Sequence, residues 1–474
     1  MKTLLKSVVL VLLVALGTQV AAQNKGYKIT LKIDKLPQGW VKMGYYYGAL
    51  AYLIDSQRVE KTKLAYTFSG KSKLTKGFYF FALPESPPLD FITDTNQNFV
   101  VETEFSHLKD SVFAENSNEN EQYYEYLRYF SPRENEIQGY NAQILAMQSM
   151  NNKEMATMLE NQKQIIVTEI NTYIRAYIKL YPENLQTKVL VAGKNVVVPD
   201  SIPKTVNKKA NYAYYRHVIE HFWDSYDFKD PRLVRTKVFD KKLTTYFEQI
   251  VPKNPDSSIA HLDKLLLRAK NTDETTYQAM VIWIANHFDK IDVMGFDAIY
   301  IYIAEKYLAP KAAPWLNLAD RTRTDYKVGL YKNTLLGNET PPIALVDTLN
   351  KPVYLKDIEA DYTFLMFYSP KCSHCIEEMP KFYELFQKYE GKNVKAIAIS
   401  IDKEESVKQE WRSFVRKNGW NWVNATPADT ETKFQETFAA YNLPVVYLLD
   451  SNKKILMKRL SAAQFDKHLD QIIR

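Results

Sequence analysis

The sequence predicts a multidomain α+β protein with an N-terminal antiparallel β sandwich or barrel, a central all-α domain and a C-terminal α/β domain. Three observations predict it. Between 27 and 101, apolar and polar residues alternate in short runs, the period of strands with one buried face. From about 119 the spacing becomes helical, and 141–180 contains neither Gly nor Pro. Beyond Leu336-Gly337-Asn338-Glu339-Thr340-Pro341-Pro342, strand-like and helix-like runs alternate. At 474 residues the chain exceeds one ordinary core and divides into about three domains. The composition, 46% hydrophobic and 25% charged, is globular. Against only 14 glycines there are 33 tyrosines, which suits many half-buried rings with one wet edge. The net charge of +7 comes from 62 basic and 55 acidic residues without a concentrated Lys/Arg stripe, so no nucleic-acid partner is expected.

In chain order, Lys2 and Lys6, the apolar run 8–16 and Val20-Ala21-Ala22 have the layout of a secretory signal peptide over 1–22. The apolar run is short of the roughly 20 residues that span a bilayer. No cysteine follows it to carry a lipid. The expectation is a mature protein exported to the periplasm or cell envelope, not membrane-spanning after cleavage. The β-rich domain, 23–115, opens with Tyr27-Lys28-Ile29-Thr30-Leu31-Lys32-Ile33 and continues in runs near Tyr45, Leu64, Phe78 and Phe91. The helical domain, 116–335, is punctuated by Pro182, Pro199, Pro203, Pro231, Pro252 and Pro255. In the last domain, 336–474, we expect strands at 363–368, 394–400, 445–449 and 455–458, the last two a hairpin turning at Asp450-Ser451-Asn452. Helices are expected at 375–389, 404–418, 430–441 and 462–473, giving βαβ followed by αββα.

The only two cysteines lie in Ser369-Pro370-Lys371-Cys372-Ser373-His374-Cys375, directly after the apolar run 364–367. A strand running through Cys-x-x-Cys into a helix is the layout of a thiol–disulfide exchange site. The first sulfur falls at the helix N-terminus, where the dipole and free N–H groups favour thiolate. Any disulfide within one molecule must join these two residues. A structural staple across so short a loop would gain little, so the pair suits cycling better than bracing. His374 can donate charge or a hydrogen bond to the Cys372 thiolate, which would make the disulfide more oxidising; the plainer reading is a solvent-facing ring. Zinc wants about four ligands, more than these two sulfurs and His374 supply, so no metal ligand and no cofactor is expected.

Residues from about 337 to 474 resemble a thioredoxin-fold domain and are most similar to the extracytoplasmic TlpA/ResA-like thiol–disulfide oxidoreductases. The resemblance rests on 367–380, Phe-Tyr-Ser-Pro-Lys-Cys-Ser-His-Cys-Ile-Glu-Glu-Met-Pro, and on 443–450, Leu-Pro-Val-Val-Tyr-Leu-Leu-Asp. It implies that Cys372 is the exposed nucleophile and Cys375 the buried resolving thiol. Pro444 would be the cis-proline facing them, and Leu443 would offer its backbone to an extended substrate segment. Glu378 would assist proton transfer, although with Glu377 it also suits the first-turn dipole. Pro380 would be the kinking proline. Two positions depart from the pattern: Lys371 replaces the usual aromatic, and Val445 stands where many relatives carry threonine.

His217-Val218-Ile219-Glu220-His221 has the H-x-x-E-H spacing of a zinc peptidase, but no third ligand follows and helix packing over 211–228 explains it as well. Residues 221–236 resemble an uncharacterised helical domain found ahead of thioredoxin modules in exported proteins, and 27–105 resembles the β domain that opens such chains. The preferred reading is an exported thiol–disulfide oxidoreductase whose partners are protein thiols and disulfides, with a membrane protein as electron donor or acceptor. The alternatives are an envelope scaffold that keeps the fold without turnover, and a thiol peroxidase, whose Pro-x-x-x-Thr/Ser-x-x-Cys setting is absent.

Overall fold

The computed structural model describes residues 26–60, 62–108, 111–202, 208–291, 293–428 and 433–473, with side chains from 212 onward in the segment that begins at 208. The segment expected to be a signal peptide lies outside the described residues. Contacts divide the chain into two units, one reaching to 196 and including 223–240, the other comprising 197–222 and 241 onward.

In the first unit the expected alternation becomes β1 (Tyr27–Asp34), with Ile29, Leu31 and Ile33 turned inward and Lys28, Thr30 and Lys32 outward. It is followed by β2 (Trp40–Tyr47), β3 (Leu50–Arg58), β4 (Ala65–Gly70), β5 (Gly77–Ala82), β6 (Leu89–Thr93), β7 (Asn98–Glu104) and β8 (Phe113–Glu115). They form two four-stranded sheets, ordered β4-β1-β7-β8 and β3-β2-β5-β6. Phe68 against Phe81 (5.7 Å) and Phe91 against Phe99 (5.9 Å) join the sheets into a sandwich. One pair departs from the antiparallel expectation: β1 and β7 are parallel, from Lys28↔Asn98 to Asp34↔Glu104. Strands β2 to β6, shared between the two sheets, intervene before β7 pairs with β1, and so long a connection permits the parallel direction.

Helix α1 (Asn118–Ser149) begins with Asn120 bonding both backbone groups of Ile92 at 2.7 Å, fixing the helix to β6. The long helical run breaks at Asn151, whose φ is +57°, and Asn152 caps α2 (Lys153–Leu180). The two form an antiparallel hairpin with Tyr129 stacked on Tyr173 at 3.8 Å. Helix α3 (Leu185–Ala192) completes this part.

The second unit holds α4 (Lys208–His221), which stops at His221, short of the expected 228, where a turn begins. After α5 (Lys237–Thr245) come α6 (Pro255–Lys270), α7 (Glu274–Lys290), α8 (Asp297–Tyr307) and α9 (Leu318–Lys332). The α/β part follows in the order β9 (Leu345–Asp347), β10 (Pro352–Val353), β11 (Tyr362–Tyr368), α10 (Ser373–Tyr389), β12 (Val394–Ser400), α11 (Glu405–Asn418), β13 (Val423–Pro427), α12 (Phe434–Thr437), β14 (Val445–Leu449), β15 (Ile455–Lys458) and α13 (Ala462–Ile472). Its sheet runs β10-β9-β13-β12-β11-β14-β15, with β11, β12 and β13 parallel and the other pairs antiparallel. Strand β11 is buried on both faces: Phe364, Met366 and Tyr368 enter the core under α10 and α13, and Leu365 and Phe367 enter the opposite core.

Two expectations change here. Strands β9, β10 and β13 were not anticipated. The helix expected over 430–441 is a single turn, Phe434–Thr437, with 429–432 outside the described residues. Trp420, Trp422 and Ala425 are buried, and β13 pairs with β12 through only three residues, too few to show a strand period.

Candidate active site

The site forms where the buried strand β11 passes into α10. Ser369 Oγ accepts from the Lys371 N–H (3.2 Å), and Ser369 O accepts from the Cys372 N–H (3.2 Å), bringing Cys372 to the N-cap of α10. There its Sγ accepts the Cys375 N–H at 3.3 Å, filling the role of a capping oxygen. The helix buries Cys375, Met379, Phe382 and Phe386 at helical spacing, so packing holds its first turn in place. Burial therefore separates the sulfurs: Cys372 is half-exposed, and Cys375 is 1% exposed among Tyr368, Met379 and their neighbours. Both are free thiols. Burial, then the hydrogen bond and charge of Cys372, push the Cys375 thiol up to about 12.

Across from the pair, the Leu443–Pro444 peptide bond is cis. The Cys372 thiol lies 3.8 Å from the Leu443 carbonyl oxygen, the distance of a weak S–H···O contact. Beside this lies a cleft of about 610 Å³. His374, Glu378 and Pro444 line it, so these expected residues come together around one opening. The His374 ring is exposed on the first turn of α10. Glu378 is half-buried and accepts from Lys381 Nζ at 2.6 Å, one helical turn along. Pro380 lies inside α10, and Lys371 is exposed 4.0 Å from Glu410. The cleft also has walls that motif reading did not reach: Leu330 and Tyr331 from α9, Tyr441 before the cis bond, and Arg459 after β15. Tyr441 and Tyr326 of α9 join hydroxyl to hydroxyl at 2.5 Å. No local pattern marks these residues, because they meet only through tertiary packing.

The histidine motif stands elsewhere. His217 and His221 lie ring to ring, 4.3 Å between centroids, the Nε2 of His217 is 3.2 Å from Val197 O, and Glu220 pairs with Arg216 at 2.9 Å. Among the described residues no group of three or more His, Cys, Asp or Glu is placed to share a metal ion, and no helix is long and apolar enough to cross a membrane.

Parts of the chain are similar to known proteins. Residues 336–458 match the AhpC/TSA family, and 181–333 match a domain of unknown function, DUF5106. The thiol-disulfide oxidoreductase ResA of Bacillus cereus is 32% identical over 123 residues, 26% of this chain and 68% of that protein. ResA of Bacillus thuringiensis is 27% identical over 139 residues, 29% of this chain and 77% of that protein. Among solved structures, a domain of a possible thiol-disulfide isomerase from Cytophaga hutchinsonii shares 34% identity, with 29% of this chain and 92% of that one covered and a TM-score of 0.28. A thioredoxin-like protein from Bacteroides caccae shares 17% identity, with 59% and 98% covered and a TM-score of 0.45. The C-terminal part is thus a thioredoxin-like domain. Through it the chain belongs to the ResA family and is a thiol–disulfide oxidoreductase acting on protein thiols and disulfides.

Proposed function

We propose that the protein is an exported oxidoreductase of the periplasm or cell envelope that exchanges disulfides through the Cys372-Ser373-His374-Cys375 turn. The thiolate of Cys372 attacks one sulfur of a partner disulfide, forming a mixed disulfide and expelling the partner's other sulfur as thiolate. Cys375, deprotonated for the step, then attacks the Cys372 sulfur, forming the intramolecular disulfide and releasing the second partner thiolate. Two electrons pass from the dithiol to the partner, and the two protons end on the released thiols; run backwards, the sequence oxidises a dithiol. One observation carries this reading: Cys372 Sγ sits at the N-cap of α10 within reach of the Cys375 N–H and the Leu443 carbonyl, while Cys375 is sealed in the core.

In this reading the Leu443 backbone and Pro444 receive an extended partner segment, Glu378 relays the proton of Cys375, and His374 tunes the Cys372 thiolate. Residues 1–22 direct export, 23–115 and 116–335 form the β-rich and helical domains, and 336–474 form the redox domain. A membrane protein returns the electrons. The family match to 336–458 supports the last of these boundaries. The test is a redox titration of the pair with thiol alkylation as readout. A reversible two-electron potential is expected, about −120 to −180 mV for an oxidant or isomerase and about −270 mV or lower for a reductant. Failure to form a reversible Cys372–Cys375 disulfide would overturn the reading.

A further inference from the structure

Arg459 lines the cleft beside β15 and takes no part in the exchange chemistry described above. It follows β15 with φ +56°, a left-handed conformation that a long side chain adopts only at a cost, and its N–H is held by Val446 O at 2.8 Å. Arg459 lines the cleft with Glu378, Pro444 and Tyr331, and its side chain also meets the buried Tyr447 hydroxyl in a hydrogen bond. Its guanidinium lies over the Tyr331 ring, 5.8 Å from the centroid. Nε and Nη2, the two nitrogens on one edge of the fork, are buried and have no hydrogen-bond partner among the described residues. Leaving charged donors unpaired is costly, and a carboxylate is the group that satisfies this edge with two parallel bonds. The nearby acid, Asp297, is engaged through Oδ2 by Lys458 Nζ, which also donates to Thr334 O. Asp297 Oδ1 is itself without a partner among the described residues. Glu378 is held by Lys381.

We propose that Arg459, under the Tyr331 wall supplied by α9, is a carboxylate subsite that selects substrates bearing an acidic group close to the target cysteine. The inference rests on the thiol–disulfide reading for where the substrate lies, and it adds the chemical class selected. The carboxylate can come from an Asp or Glu side chain or from a chain terminus.

The test uses the full mature protein, reduced, with nine-residue peptides whose single cysteine is a mixed disulfide with thionitrobenzoate. One peptide carries Glu beside the cysteine, one carries Gln, and both end in an amide. A third carries Gln with a free C-terminal carboxylate two residues beyond the cysteine. Wild type should react about tenfold faster, in second-order rate constant, with at least one carboxylate peptide than with the neutral one. The faster peptide identifies the source. In Arg459→Gly, where φ +56° suits glycine so that folding is spared, the ratio should fall to about one. Arg459→Lys, which keeps the charge but loses the fork, should fall between. Equal rates for all three peptides in wild type, as expected if Arg459 merely faces Asp297, overturn the proposal, as does a preference that survives Arg459→Gly. If no peptide reacts, the exchange reading has failed, and fluorescein-labelled serine analogues decide the subsite by anisotropy. Tighter binding of a carboxylate analogue than the neutral one upholds it, and equal binding overturns it.

Discussion

The two thiols share one helical turn but have opposite environments, and this asymmetry governs what each can do. With its pKa pushed up to about 12, Cys375 stays protonated where an unhindered thiol, near 9.0, begins to ionise. Iodoacetamide at pH 7 should therefore alkylate Cys372 and spare Cys375 in the folded protein, as peptide mass spectrometry would read. Above about pH 9 the unfolded chain releases this proton and the folded chain keeps it, so reduced-state stability falls with rising pH until about 12. The slope from this group is at most about 1.4 kcal/mol per pH unit. The disulfide form has no such proton, so its stability advantage over the dithiol should widen between pH 9 and 11 in parallel urea titrations. A Cys375→Ala variant should accumulate mixed disulfides through Cys372, visible as adducts on non-reducing gels, whereas Cys372→Ala should form none. At this scale the sequence was most readable. Cys372 and Cys375 announce themselves because they stand three positions apart at the start of one helix, whereas Pro444, some seventy residues on, was legible only through the family resemblance. Arg459 was not, because its significance comes from a strand end, a left-handed backbone and a helix more than a hundred residues earlier.

Among the elements, α13 and β15 carry the clearest energetic tests. Ser461 caps α13 in a reciprocal box with Gln464, and the helix buries Phe465 and Leu469 in the core that contains Cys375. Ser461→Ala should cost about 1 kcal/mol, read as a shift in urea midpoint with an unchanged slope. Lys458, at the end of β15, is 3% exposed and paired with Asp297 at the first turn of α8. Removing the carboxylate with Asp297→Ala leaves a buried cation and should cost roughly 3–5 kcal/mol by the same titration. Long elements such as β11, α10 and α11 were legible because β11 is an unbroken apolar run and the two helices carry their own helical period. Strands β9, β10 and β13 have five or fewer residues and owe their existence to partners elsewhere in the sheet. The break at Asn151 was missed for the opposite reason: it interrupts a strong helical pattern with a local turn and no Gly or Pro.

For the molecule as a whole, two units with separate cores make a single two-state transition an unsuitable description of unfolding. Calorimetry should resolve more than one transition. Oxidising Cys372–Cys375 should move the one that contains the α/β part and leave that of the β sandwich in place. The same core also has an optical property. Of the seven tryptophans in the chain, Trp411, Trp420 and Trp422 share the cluster that holds Cys375, and Trp411 Nε1 donates to Tyr368 OH at 3.0 Å. Tyr368 and Cys375 are buried in the same cluster. Indole emission from this cluster should change when the neighbouring thiol pair closes into a disulfide. The protein thereby carries its own unlabelled fluorescent gauge, one by which its electron exchange with a partner can be timed in a stopped-flow cell.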